Sequence, residues 1–251
     1  LRELAQKKGL SLSERCLTRE DGSELLFDDE EKLYKFLGLS YIPPELREDR
    51  GEIQAAVDYG HLPRMMLLNE RVMELHCHTT WSDGAHSIEQ MAEAAVERGL
   101  KVLAITDHSS GLGIVGGLDA ERLRQQRVEI DAVQARMGDR IRLLQGAEVE
   151  IHADGTLEHP DEVLAALDIV IASLHTSLRQ PREQVTARLL RAMRNPHVDI
   201  IGHPTGRLMP EREGADLDME QVLKAAKENG VALEINCSPS RLDLDEVYAR
   251  R

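Results

Sequence analysis

From about residue 70 onward, apolar residues follow two alternating rhythms. Short aliphatic runs, RVMELHC, KVLAITD, IRLLQGAEVE, DIVIASL, VDIIGH and VALEIN, are each followed by a stretch in which apolar residues return every three or four positions. Those stretches are SIEQMAEAAVERG, DAERLRQQRVEIDAVQARMG, PDEVLAAL, REQVTARLLRAMRN and MEQVLKAAKENG. Continuous apolar runs predict strands buried on both faces, and the longer periodic stretches predict amphipathic helices. Their regular alternation predicts a parallel sheet or barrel. Ser87 with Gln90 three positions on predicts a capping box, and Asp119 ahead of Arg122 predicts a simple cap. The first sixty residues read differently. They hold an amphipathic LRELAQKKGL, a turn at Asp21-Gly22, a helix over DDEEKLYKFLGL and a break at Pro43-Pro44. Two regions are therefore expected, 1–60 and 61–251. The first is too small and too charged to be more than marginal by itself.

The strand ends carry the chemistry. They read His76-Cys77-His78, Thr106-Asp107-His108, Gly146-Ala147-Glu148, Ser173-Leu174-His175, Gly202-His203-Pro204 and Glu234-Ile235-Asn236. In a βα barrel these ends share one rim, where active sites sit. Imidazole and carboxylate together suit zinc, iron or manganese. Strand side chains alternate faces, so His76 and His78 point the same way, and Cys77 points toward the helix layer as an ordinary small apolar residue. Glu148 lies in an apolar strand, where an unpaired carboxylate is costly and needs a cation or a partner. Asp83, in Ser-Asp-Gly, is a turn former on its own and a further carboxylate in company. One histidine at a strand end is ordinarily a hydrogen-bonded structural residue. Ligand-type residues on five strands favour a metal site. His61, His86, His152, His159 and His197 fall in loops or at element margins and read as solvated or structural.

Composition narrows the function. The chain has 251 residues and a formal net charge of −14, which disfavours coating nucleic acid by bulk charge. A nucleic-acid enzyme stays open, because bound divalent cations reverse the sign locally. Aromatics are 3%, too few for an extended base-stacking platform. No apolar run approaches the roughly 18 residues of a membrane span, so no membrane partner is expected. Cys16, Cys77 and Cys237 lie far apart, which suits a reducing, cytoplasmic setting. The start lacks both an initiator Met and an apolar signal core, as expected of a fragment or a processed chain.

The motifs HCHTTWSDG, AITDHS, GAEVEI, ASLH and GHPTGRL together resemble the polymerase and histidinol phosphatase (PHP) superfamily. ALEINCSPSRLDLD resembles the form of that domain attached to bacterial family X DNA polymerases. LRELAQKKGLSLSER and EEKLYKFLGLSYIPPELREDRGEI resemble the end of such a polymerase's thumb. The resemblance covers nearly the whole chain. It implies an α/β fold, a distorted, TIM-like (β/α)7 barrel preceded by a small α+β thumb fragment. It also implies a centre of three divalent metals. His76 and His78 would hold one with Glu148, and Glu148 would bridge to a second held by His175. Asp83 and His108 would hold a third, and His203 matches a further ligand position. Such clusters stabilise charge on a phosphoryl oxygen and activate water, here among His76, His78, Glu148 and His175. The implied reaction is phosphoester hydrolysis, as a manganese-supported 3′-5′ exonuclease or end-processing activity. DNA 3′ ends, single strands or gaps are the implied substrates, with the polymerase palm and fingers as partner in the parent chain. No nucleotide transfer is expected of this chain alone. The alternatives are a small-molecule phosphatase of the histidinol phosphatase type and a barrel that only supports a polymerase.

Arg207 and Arg241, in GHPTGR and SPSR, are candidates for phosphate contact because a guanidinium pairs bidentately with phosphate. Loop anchoring is an equal reading for both. Thr106 and Asp107 are candidates for orienting His108, and Asn236 for orienting a ligand or closing a turn. Against the resemblance, six strands are visible where seven are implied, and Arg251 precedes the family's final Asp-x-His pair. The expected consequence is a site short of two ligands and a closing strand.

Overall fold

A computed structural model of the chain describes residues 1–57, 62, 64–65, 67, 70–111 and 116–249. His61 lies outside the described residues. The chain divides into two compact units, Leu1–Leu67 and Leu68–Arg251.

The first unit opens with α1 (Arg2–Lys7) and an antiparallel sheet of β1 (Leu10–Leu12), β2 (Leu17–Arg19) and β3 (Glu24–Leu25). The Asp21-Gly22 turn joins β2 to β3. Asp21 accepts from the Ser23 N–H at 2.9 Å, and Gly22 takes φ +84°, a left-handed value that glycine adopts freely. Asp29 caps α2 (Glu30–Phe36) by accepting the Lys32 N–H. Pro43-Pro44 ends that region in a single 3₁₀ turn, and α3 (Glu52–Val57) follows. Leu17, Tyr34, Leu37 and Ile42 form the buried centre of this unit.

The second unit realises the predicted alternation. Its strands are β4 (Met73–Glu74), β5 (Val102–Ile105), β6 (Arg142–Glu150), β7 (Ile169–Ser173), β8 (Ile200–Gly202) and β9 (Ala232–Leu233). Between them run α4 (Ile88–Glu97), α5 (Ala120–Met137), α6 (Asp161–Leu164), α7 (Arg182–Met193) and α8 (Met219–Asn229). Among the described residues the six strands pair in chain order, all parallel. The sheet curls so far that His76, just past β4, lies 2.8 Å from Glu234, just past β9. This is the TIM-like βα architecture with six strands among the described residues. The capping box at Ser87 and the Asp119 cap both form.

The edge strands are shorter than their apolar runs. Past Glu74 the regular ladder gives way to a mixed link, in which the Thr106 N–H donates to the Cys77 carbonyl at 2.9 Å and the Cys77 N–H donates to Thr106 Oγ1 at 2.9 Å. The two-residue period then sorts each strand. Leu103 and Ile105 of β5 pack with Ile88 and Ala92 of α4 and Ile130 and Val133 of α5. Ala147 and Val149 of β6 pack with Val170 and Ala172 of β7, Leu189 of α7 and Val222 of α8. Residues of opposite parity, including Glu148 and Glu150, face the inside of the curl. Among the described residues no helix is long and apolar enough to cross a membrane.

Candidate metal centre

Five imidazoles surround one buried carboxylate. Glu148, 1% exposed, stands in β6, and each neighbouring strand end contributes a ring. His76 Nε2 and His78 Nε2 lie 3.3 Å from Glu148 Oε2, and His108 Nδ1 lies 3.0 Å from it. His175 Nε2 and His203 Nε2 lie 3.2 and 2.8 Å from Oε1. The parallel register makes this possible: His108 bridges directly to Glu148 across the sheet, and Glu148 pairs with Ile171 of β7. His203 has φ +27°, so its backbone bends out of β8 at the point where the ring turns inward. Asp83 joins from the loop after β4, 3.3 Å from His78 Nδ1 and 3.6 Å from His108 Nε2.

Carboxylates hold the rings from behind. Glu234 lies 2.8 Å from His76 Nδ1, and its other oxygen accepts the His203 N–H. Glu150 lies 2.8 Å from His175 Nδ1 and accepts from the Thr176 hydroxyl at 2.7 Å. Buried Arg188 of α7 donates to the Ile151 and Thr176 carbonyls and reaches Glu150 at 3.4 Å. Asp107 does not meet the His108 ring, because the strand period turns it to the helix side. There it accepts from the Thr79 N–H and hydroxyl, the Ser82 hydroxyl and Gln126 of α5, at 2.6–2.7 Å. It thereby fixes the loop that carries Asp83. Thr106 likewise ties to Cys77. Cys77 packs against the helix-side cluster, and burial pushes its thiol up to about 12.

Charge in the cluster is strongly redistributed. Burial favours neutral His76, but hydrogen bonds to Glu148 and Glu234 outweigh it and raise the ring to about 10. Burial likewise opposes protonation of His175, and Glu148 with Glu150 raises it to about 9. For His78 burial prevails and lowers the pKa, with the charges of His108 and His76 adding to the effect. Burial opposes ionisation of Glu148, Glu150 and Glu234, yet their histidine and hydroxyl partners hold all three below the usual carboxylate range. Protons on His76 and His175 thus supply the positive charge that the buried carboxylates require.

The donor chemistry fits divalent cations. His76, His78 and Glu148 present converging ligand atoms, as do His78, Asp83 and His108, and His108, Glu148 and His175. Buried polar atoms that lack a hydrogen-bond partner among the described residues include His78 Nδ1, His108 Nδ1, Glu148 Oε1, His175 Nε2 and His203 Nδ1. Native interiors rarely leave so many polar atoms unsatisfied in one place.

Arg207 and Arg241 lie apart from this convergence. Arg207 donates to the Arg241 and Leu242 carbonyls, and Arg241 donates to the Arg207 carbonyl at 3.2 Å, so the two bind each other's loops. Asn236 donates to Glu234 at 3.3 Å and accepts from the Ser238 N–H at 3.1 Å, combining both roles open to it. His86 is exposed, His152 pairs with Glu158 at 3.0 Å, and His159 is buried outside the cluster. Sequence reasoning missed Glu150, Glu234 and Arg188. Glu150 had a signal, since it sits two residues after Glu148 on the same strand face.

Residues 74–238 match the PHP domain family, and residues 1–48 match the DNA polymerase beta thumb. The chain is 45% identical over 245 residues to the DNA polymerase/3′-5′ exonuclease PolX of Bacillus subtilis, a match covering 97% of this chain and 42% of that protein. It is 38% identical over 172 residues to a "probable phosphatase" of Caldanaerobacter subterraneus, covering 66% of this chain and 63% of that protein. The chain thus spans less than two thirds of both relatives. A solved structure of a candidate histidinol phosphatase from Listeria monocytogenes shares the fold, with a TM-score of 0.50 at 14% identity over 68% of this chain and 85% of that one. With a PHP match over most of its length, the chain belongs to the PHP domain family and carries a DNA polymerase beta thumb segment ahead of that domain.

Proposed function

We propose that this chain is a metal-dependent phosphoesterase that trims DNA from its 3′ end. One observation carries the reading: a fully buried carboxylate, Glu148, lies within 3.3 Å of five imidazole nitrogens. Structural histidines do not need such convergence, whereas cation ligands do. His76, His78 and Glu148 would hold one ion, Asp83 with His108 a second, and Glu148 with His175 a third, with His203 completing the wall beside Glu148. Bound divalent cations neutralise charge on a phosphoryl oxygen and acidify water. Mixed nitrogen and oxygen donors suit zinc, manganese or iron, and manganese is proposed to support turnover. Glu234 and Glu150 keep Nε2 of His76 and His175 turned toward Glu148 by accepting at Nδ1. Residues 61–251 would carry the chemistry and residues 1–60 would contribute to holding DNA.

The DNA substrate is supported by the thumb match and by the similarity to PolX. The test is digestion of 3′-labelled single-stranded DNA with added manganese. Wild type should shorten the strand from its labelled end, and His76→Ala should not. Absence of shortening by wild type, or equal shortening by both, sinks the reading. Similarity to a "probable phosphatase" favours a second reading, hydrolysis of small phosphomonoesters. Faster turnover of such monoesters than of DNA ends would reverse the ranking. Elemental analysis of the purified protein identifies the ions.

A further inference from the structure

A cavity of about 500 Å³ opens beside His175, walled by the loops around 177–180 and 212–216. The first loop is braced from beneath. Arg188, 2% exposed, donates to the Thr176 carbonyl at 2.9 Å and to Gln180 Oε1 at 3.3 Å, and Gln180 Nε2 donates to the Ala153 carbonyl at 3.0 Å. The braced loop carries Arg179 at the cavity wall, exposed and without a hydrogen-bond or ionic partner among the described residues. Across the cavity, Arg212 gives its guanidinium to the Gly206 carbonyl at 3.1 and 2.8 Å. A neutral acceptor leaves that positive charge uncancelled. Of the two acids in the wall, Asp216 is taken by Arg182 at 3.1 Å, which leaves Glu213. The cavity therefore holds a local excess of positive charge on a chain whose formal net charge is −14.

From this geometry we propose that the cavity is a subsite for the phosphodiester backbone of a single-stranded polynucleotide. Arg179 engages the phosphate next to the one held at the centre. The inference rests on the phosphoesterase reading and deepens it, because the subsite separates strands with several phosphates from compounds with one. An unpaired guanidinium suits a phosphate, which it meets bidentately. The cavity's border with His175 places it next to the reacting group.

Two measurements on the full chain test the proposal. The first is binding of labelled hexathymidylate in EDTA, followed by anisotropy across a salt series. Loss of one phosphate contact in Arg179→Glu should flatten the slope of log affinity against log salt by about 0.7. The second is the ratio of kcat/KM for hexathymidylate to that for bis(p-nitrophenyl) phosphate, with manganese. Arg179→Glu should lower this ratio about fivefold, and Arg179→Lys should restore part of it, because an ammonium supplies the charge without the bidentate fork. An unchanged slope together with an unchanged ratio overturns the subsite while the phosphoesterase reading stands. If wild type cleaves neither substrate, the phosphoesterase reading falls, and the salt slope alone decides whether Arg179 meets a phosphate.

Discussion

Cation binding should expel protons, and the number follows from the charge pattern of the site. Without a cation at pH 7, His76 and His175 are protonated, since carboxylate partners raise them to about 10 and about 9. A cation takes the same nitrogens only after those protons leave. Filling the groups that contain the two rings should release about two protons, one for each ion, so log apparent affinity of each ion should rise by about 1 per pH unit near pH 7. The rise should level off as the pH passes about 9 and then about 10. Titration calorimetry with manganese in buffers of different ionisation enthalpy counts the protons directly. Glu148→Gln removes the carboxylate that both rings share, so their pKa values should fall and proton release should shrink. The lost ligand charge should weaken binding at least about a hundredfold, close to 3 kcal/mol. Pairing as the cause of the high pKa values would be refuted by a wild-type slope near zero. An unchanged slope in Glu148→Gln would refute it equally.

The same shifts set how stability depends on pH once cations are stripped. The folded-state pKa values of His76 and His175 lie above the ordinary 6.5, so their stabilisation is complete below pH 6.5 and is lost as pH rises through about 9 and about 10. Thermal melts in EDTA should fall over that window, whereas melts with saturating manganese should not. Arg188→Met breaks an ion pair whose side chains are 1% and 2% exposed; urea denaturation should show a loss of about 3–5 kcal/mol, and Glu150→Leu added to it should recover part. A methyl group at Gly202 would meet Ser173 Oγ at 2.5 Å, Ile171 Cγ2 at 2.8 Å and His76 Cε1 at 3.3 Å. Gly202→Ala should therefore cost about 1–3 kcal/mol and weaken cation affinity through a displaced His76, read by melting and by manganese titration. Trp81, the single tryptophan, sits in the Asp83 loop and donates to Glu129 of α5 at 2.9 Å. Its fluorescence should respond to manganese, and Asp83→Asn should remove most of the response.

Much of this centre was legible because its signal is local. His76 and His78 share a face by the strand period, and Glu148 interrupts an otherwise apolar strand. His108, His175 and His203 stand where strands give way to loops. The parts that escaped depend on curvature and on helix burial. Glu234 supports His76 across 158 positions of sequence, a contact made only because the sheet curls until its two edges meet at the rim. A carboxylate at a strand end reads equally well as solvated until that closure is known. Arg188 lies three residues after Val185 and four before Ala192, both buried, so it occupies the inner stripe of α7. A charge there reads as an interruption of the stripe, and the Glu150 that receives it is visible only in the fold. Asp107 and His108 are sequence neighbours, yet the strand period sends them to opposite faces, so adjacency suggested a contact that the backbone forbids.

The supporting carboxylates also explain why the centre resists being only structural. Glu148 and Glu150 are buried and Glu234 is partly buried beside them, and each is held below the usual carboxylate range by a histidine or hydroxyl that faces it. A scaffold with no use for cations could replace the whole set with apolar residues at little cost, since buried ion pairs seldom outperform well-packed hydrophobic ones. Here two buried negative charges with a third, partly buried one beside them leave a centre that must always hold positive charge. Protons meet that need at neutral pH and divalent cations compete for the same nitrogens. Cation occupancy, pH and stability are therefore one coupled equilibrium, so removing Glu148 should alter all three together. A substitution confined to the Asp83 loop should move cation occupancy and Trp81 emission while leaving the alkaline melting transition of the cation-free protein in place.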